Sequence, residues 1–130
     1  MIFLTSIVSA QVEYSTNLKD GKTIGFSVDV GGFKSSVPNK TRMDFFVQVP
    51  YSSIQFVKKD DGFYANYNIT LSFTDESKMN IIFERNWKEK VKTIDFEQTL
   101  SSENFNLSYK TYDLNQGKYF VKCIVEDSDS

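Results

Sequence analysis

Phe63-Tyr64-Ala65-Asn66-Tyr67-Asn68-Ile69-Thr70-Leu71-Ser72-Phe73-Thr74 decides the fold. Phe63, Ala65, Tyr67, Ile69, Leu71 and Phe73 alternate without a break against Tyr64, Asn66, Asn68, Thr70, Ser72 and Thr74. A period of two puts the first set on one face of an extended ribbon and the second on the other, whereas a helix would scatter both around its circumference. The stretch predicts a strand with one face buried and one wet.

Turns bound it on both sides. Asp60-Asp61-Gly62 has the Asp-Gly chemistry of a tight hairpin, and Asp75-Glu76-Ser77-Lys78 is the next polar turn. Upstream, Phe26, Val28 and Val30 alternate on one strand, which Gly31-Gly32 is expected to bulge or bend. Val37-Pro38-Asn39-Lys40 makes a turn, and Met43, Phe45, Val47 and Val49 mark a strand that Pro50 ends. Downstream, Met79, Ile81 and Phe83 alternate on a strand continuing towards Trp87. Further strands are expected at Lys90 to Phe96, Asn104 to Lys110 and Lys118 to Glu126, with a turn at Asn115-Gln116-Gly117. Short strands at turn-punctuated intervals, with no long amphipathic helix, give an all-β sandwich of about seven to eight strands.

The chain has 130 residues and 40% hydrophobic content, enough for a single core. Its net charge is -2, with Lys and Arg dispersed among acids and aromatics, which argues against nucleic acid as a partner. Histidine is absent, which removes the commonest general base and the usual zinc and copper ligands. Cys123 is the only cysteine, so no internal disulfide can form; its period-2 neighbours Tyr119, Val121 and Val125 mark it as core. Asp60, Asp61, Asp75, Glu76, Asp127 and Asp129 lack EF-hand spacing and read as solvated turn and end residues. No motif nominates a carboxylate pair for glycoside hydrolysis. The expectation is a protein that is not an enzyme, with no catalytic residue, metal or cofactor.

Met1 to Gln11 is an apolar stretch closing on Val8-Ser9-Ala10, the small-residue ending of a signal-peptidase site. Residues 1–10 are accordingly read as a signal peptide remnant and 11–130 as one sandwich domain, located outside the cytoplasm: periplasmic, cell-surface or secreted. A first β-strand from Ile2 to Tyr14 is the alternative. No apolar run reaches membrane-spanning length, so no transmembrane segment is expected. Asp127-Ser128-Asp129-Ser130 reads as a solvated tail or the start of a linker.

Tyr51, Tyr64, Trp87, Tyr109 and Tyr112 are the candidate binding residues, aromatics whose strand faces or turns could leave them accessible to a peptide or a sugar. Ordinary cross-strand packing is the plainer explanation of the same residues. The leading functional expectation is an interaction or structural module that docks a protein partner or positions a neighbouring domain. A carbohydrate-binding module, with its aromatics lined up on one exposed face, is the alternative, and an enzyme working with carboxylates alone is a third. Free edge strands also offer a route to a homo-oligomer.

Val49-Pro50-Tyr51-Ser52-Ser53-Ile54-Gln55-Phe56-Val57-Lys58, followed by Asp61-Gly62-Phe63-Tyr64-Ala65, resembles the amino-terminal region of the GWxTD domain proteins of bacteria. Gly117-Lys118-Tyr119, read as a hairpin, and Val125-Glu126-Asp127 resemble the close of that region, and the resemblance covers about Gly25 to Asp127. It implies an immunoglobulin-like antiparallel sandwich in an exported protein, preceding the part that carries the Gly-Trp-x-Thr-Asp signature. Trp87 lies in Asn86-Trp87-Lys88-Glu89, outside any such motif, so on this resemblance the chain would be only the leading domain. The resemblance brings no catalytic residues with it.

Overall fold

The alternation from Phe63 to Phe73 is realised as the central strand of the larger of two sheets. The structure, a computed structural model, describes residues 8–16 and 25–128. Its strands are β1 (Val8–Thr16), β2 (Ser27–Lys34), β3 (Lys40–Pro50), β4 (Val57–Lys59), β5 (Gly62–Thr74), β6 (Ile81–Thr93), β7 (Phe105–Asn115) and β8 (Gly117–Asp127). The only α-helix among the described residues is the short α1 (Phe96–Thr99), whose start is capped by the Asp95 carboxylate accepting from the Glu97 N–H at 3.0 Å. No described helix is long and apolar enough to cross a membrane.

In the larger sheet β5 pairs antiparallel with β6 along one edge and with β8 along the other, where β4 also pairs with its first residues. β1 adds to the outer edge of β8. The smaller sheet runs β2-β3-β7, antiparallel throughout. Lettered as in an immunoglobulin domain, β2, β3 and β7 are A, B and E, while β5, β6 and β8 are C, C′ and F. The position beside F, which strand G fills in that fold, is occupied by β1. Its pairing with β8 is parallel, the exception in an otherwise antiparallel sandwich.

The core lies between the facing sides of β3 and of β5 with β8. Phe45, Val47 and Val49 of β3, Ala65, Tyr67, Ile69, Leu71 and Phe73 of β5, and Val121, Cys123 and Val125 of β8 are all fully buried. Each large apolar side chain so buried stabilises the fold by roughly 1.5–3 kcal/mol relative to exposure. Phe73 is packed edge-on by Phe45 and stacked by Phe83 at 4.2 Å between ring centres. Cys123 is a core residue, and burial pushes its thiol up to about 12.

Several local expectations are corrected. The strands read separately at Met79 to Trp87 and from Lys90 are one strand, β6, held in register by thirteen-residue β5; Phe96 instead opens α1 and packs on Phe63. Met79 lies outside the strand, in an exposed turn where Lys78 takes a left-handed φ of 62°. Gly31 and Gly32 do not interrupt β2, which pairs continuously with β3. Gly117 does not make a hairpin: β7 pairs with β3 and β8 with β5, so the chain turns a corner from one sheet to the other there. Tyr119 braces that corner by donating its hydroxyl proton to the Asn115 carbonyl. Asp127 is not tail but the last residue of β8, buried, with its carboxylate accepting the Gln55 N–H at 2.7 Å. The Asp60-Asp61 turn is as expected, and Gly62 is required after it because a Cβ there would stand 2.9 Å from the Thr93 carbonyl oxygen.

Candidate binding surface

β7 is inside out over its first half. Register with β3 pairs Asn106 with Val49, Ser108 with Val47 and Lys110 with Phe45, so these polar residues share the inward face of a buried apolar strand. Phe105, Leu107 and Tyr109 are thereby turned outward, at 47%, 49% and 49% exposure. Normal polarity returns in the second half, where Tyr112 and Leu114 face in and Thr111 and Asp113 face out.

The inward polar groups all have partners. The Asn106 amide donates to the Tyr67 hydroxyl oxygen at 2.6 Å, and the Ser108 hydroxyl donates to the Glu89 carboxylate at 2.6 Å. Glu89 also accepts from the Trp87 indole N–H at 3.0 Å, and the Lys110 ammonium lies over the Trp87 ring. This chain of contacts closes the seam between β6 and β7, which belong to different sheets and share no ladder. Burial, reinforced by the charge of Glu89, pushes the Tyr67 hydroxyl up to about 12 against the lowering influence of Asn106 and Ser108. A one-residue slip of β7 would bury the apolar row but would break every one of these bonds.

On the outer face Phe46 of β3 sits beside Tyr109, ring centres 4.9 Å apart, while Leu107 pairs with Gln48 and Phe105 with Pro50. The result is an apolar strip along β7 and β3. It ends at a polar cluster: Asp44 is buried on the outer side of the sheet, ion-paired to Arg42 at 3.2 Å and accepting from the Thr111 hydroxyl at 2.8 Å. Arg42 lies over Phe33, whose ring folds back against Gly31 where a Cβ would stand 3.0 Å away.

The five aromatics singled out from sequence are not brought together. Tyr51 is half-buried in the 3-10 turn after Pro50, edge-on to Phe56. Tyr64 lies on the outer face of the larger sheet, donating to the Asp61 carboxylate and flanked by the Lys59 and Lys92 ammonium groups. That bond and Lys92 hold the Asp61 carboxyl below the usual range. Trp87 is in the seam, and Tyr112 packs inward on Phe45, Phe73 and Phe83. Tyr109 alone of the five lies on the apolar strip. Its companions Phe46, Leu107 and Phe105 were not singled out, because alternation assigns an apolar set to the core and only the register with β3 shows that here it faces out.

Beyond the seam's polar half, Phe83 and Arg85 of β6 face Tyr112 and Asp113 of β7 across a groove of about 430 Å³. Among the described residues no three or more Cys, Asp or Glu side chains gather as a metal site. Comparison of the chain with protein-family models, with curated proteins and with solved structures returned no match.

Proposed function

We propose that this is a non-catalytic interaction module, working outside the cytoplasm as the leading domain of a larger exported protein, and that it docks a protein partner on the outer face of β2-β3-β7. The inside-out half of β7 carries the reading. A strand that breaks the inside-outside rule while satisfying its inward polar groups leaves an apolar row where folding has no use for it, and such breaks gather at functional sites. The strip mixes Leu107 and Pro50 with its rings, a surface suited to apolar side chains of a protein rather than to the coplanar rings on which sugars stack. The small-residue Val8-Ser9-Ala10 ending and the resemblance to the GWxTD leading domain support the compartment. Cleavage after Ala10 would retain Gln11 to Thr16, the residues of β1 that pair with Phe120 to Val125 of β8.

Peptide and glycan arrays probed with the full chain test this directly. The expected result is retention on apolar-rich peptides, weakened at least tenfold by Leu107→Thr with Tyr109→Thr. Retention on glycans alone, unaffected by that pair, would replace the reading with the carbohydrate-binding one.

A further inference from the structure

β6 is an edge of the larger sheet. It pairs with β5 from Ile81 to Thr93, and among the described residues no strand pairs with its other side. Such an edge offers a row of N–H and C=O groups to an extended chain laid beside it. Register with β5 sorts the side chains. Val91, Glu89 and Trp87 lie opposite Ala65, Tyr67 and Ile69 and share their inward face, so Lys92, Lys90 and Lys88, opposite Tyr64, Asn66 and Asn68, all point to the outer face. All three lysines are exposed. Lys92 is held by the Asp61 carboxylate at 3.0 Å and lies over the Tyr64 ring. Lys90 and Lys88 face neutral amides on β5, and no acid among the described residues forms an ion pair with either. The row thus carries two cations at the margin of the sheet whose charge the described fold leaves unmatched.

Spacing, charge and the adjoining groove together select an occupant. Successive lysines stand two residues apart, about 6.6 Å, which is also the spacing of same-face side chains in any other strand. A peptide extended along β6 therefore keeps step with the row. A second β6 laid there would bring two lysine rows side by side, and like charges directly opposite are destabilising. Acids at alternate positions answer the row instead. Towards the other end of β6, Phe83 and Arg85 face Tyr112 across the groove of about 430 Å³, which has room for inward side chains of the same added strand.

We propose that the outer edge of β6 takes up an extended acidic peptide of a partner protein as an added strand, with alternate Asp or Glu side chains opposite Lys88 and Lys90 and the intervening side chains turned towards the β6–β7 groove. Ladder bonds supply the affinity and the acid–lysine pairs set the register, as in other strand additions to a sheet edge. This site is on the larger sheet and stands independently of the apolar strip on β2-β3-β7.

Fluorescence anisotropy of labelled synthetic peptides mixed with the full chain provides the test. A peptide alternating Glu with Thr is expected to bind, and its counterpart with Lys in place of Glu is not. Lys88→Gln with Lys90→Gln should weaken binding about tenfold, through the loss of two cross-strand charge pairs. Replacing each Thr of the peptide by Pro keeps its charge, disrupts the ladder and should abolish binding. Equal binding of the Pro version, or equally tight competition by polygalacturonate, would reveal attraction to anions at large and overturn the strand addition. Unchanged binding by the lysine variant would overturn it too. So would failure of the Glu peptide to bind while the lysine variant forms oligomers in light scattering, because the lysines would then serve only to keep β6 edges apart. A loss caused by Leu107→Thr with Tyr109→Thr would move the peptide to the strip and leave β6 without a ligand.

Discussion

β5 and β7 are both long antiparallel strands of alternating sequence, yet β5 obeys the rule that apolar faces inward throughout, whereas the alternation of β7 changes phase at Lys110-Thr111 and reverses the rule for the first half of the strand. On β5 every inward side chain from Ala65 to Phe73 is fully buried, with β6 along one edge and, from Tyr67 on, β8 along the other. Among the described residues β7 is an edge strand paired only with β3, and what faces the core from its first half is Asn106, Ser108 and Lys110. A central strand has no choice of face, because reversing it would expose a continuous apolar row and bury a polar one without partners. An edge strand beside a seam has a choice, because Glu89 and Tyr67 can receive its polar groups there. Polarity thus fixes the fold at its centre and is released for surface use at its margin.

The sharpest break in the comparison is truncation at equivalent ring positions. Phe73→Ala removes a fully buried ring contacting Phe45, Phe83 and Tyr112 and is expected to cost about 3–5 kcal/mol, read as a fall in the urea midpoint. Phe105→Ala, on a half-exposed outward ring, is expected to change stability by about 0.5 kcal/mol or less. Equal losses at the two sites would mean that β7 is not reversed.

Alkaline pH tests the buried groups of the β5 side. Tyr67 and Cys123 both have folded values of about 12, against ordinary values of 10.0 and 9.0. Each is a raised value, so the neutral form is favoured in the native state. The associated stability is fully present below pH 9 and is lost as pH rises towards 12, because the unfolded chain gives up these protons first. The urea midpoint should therefore hold steady through neutrality and drop from about pH 9 upward, and Tyr67→Phe should make that drop shallower. A pH-independent midpoint across that window would contradict the burial of both groups.

The seam gives a smaller effect. Ser108→Ala removes the hydroxyl donor to Glu89, which keeps the Trp87 N–H, and should cost about 1–3 kcal/mol. Glu89→Gln in the same background should then cost less than it does alone, since the two changes share one contact. Strict additivity would separate Ser108 from Glu89 and leave the reversal of β7 without its inward anchor.

How much of this was legible beforehand follows the same division. From Phe63 to Phe73 the alternation named the face as well as the strand, because a central strand leaves pattern and burial no room to disagree. The set Met43, Phe45, Val47 and Val49 was equally readable, and Val121, Cys123 and Val125 were placed in the core by period alone. At Phe105 to Lys110 the strand was readable but its face was not: the polar members' partners, Tyr67 and Glu89, lie 39 and 19 residues away from Asn106 and Ser108. Long-range hydrogen bonds leave no periodic trace in a single sequence. The same blindness made Asp127 look like tail, since the Gln55 N–H that justifies its burial is 72 residues distant. Exposed aromatics were sought by residue type, and only Tyr109 survived; the strip is defined by register, which brings Phe46, Pro50 and Leu107 beside it.

The last and smallest change in stability concerns the strip itself. Replacing Leu107 and Tyr109 by Thr puts β-branched, strand-compatible residues on an edge strand and touches no inward bond. Leu107→Thr should move stability by no more than about 0.5 kcal/mol, and Tyr109→Thr, which gives up the ring contact with Phe46, by about 0.5–1.5 kcal/mol, so the midpoint of the double variant falls far less than that of Phe73→Ala. Retention on apolar peptides should fall tenfold or more. A surface kept only for stability would behave the other way, with the midpoint falling as far as a core truncation takes it and retention unchanged. The outcome therefore decides whether the reversal of β7 belongs to folding or to recognition.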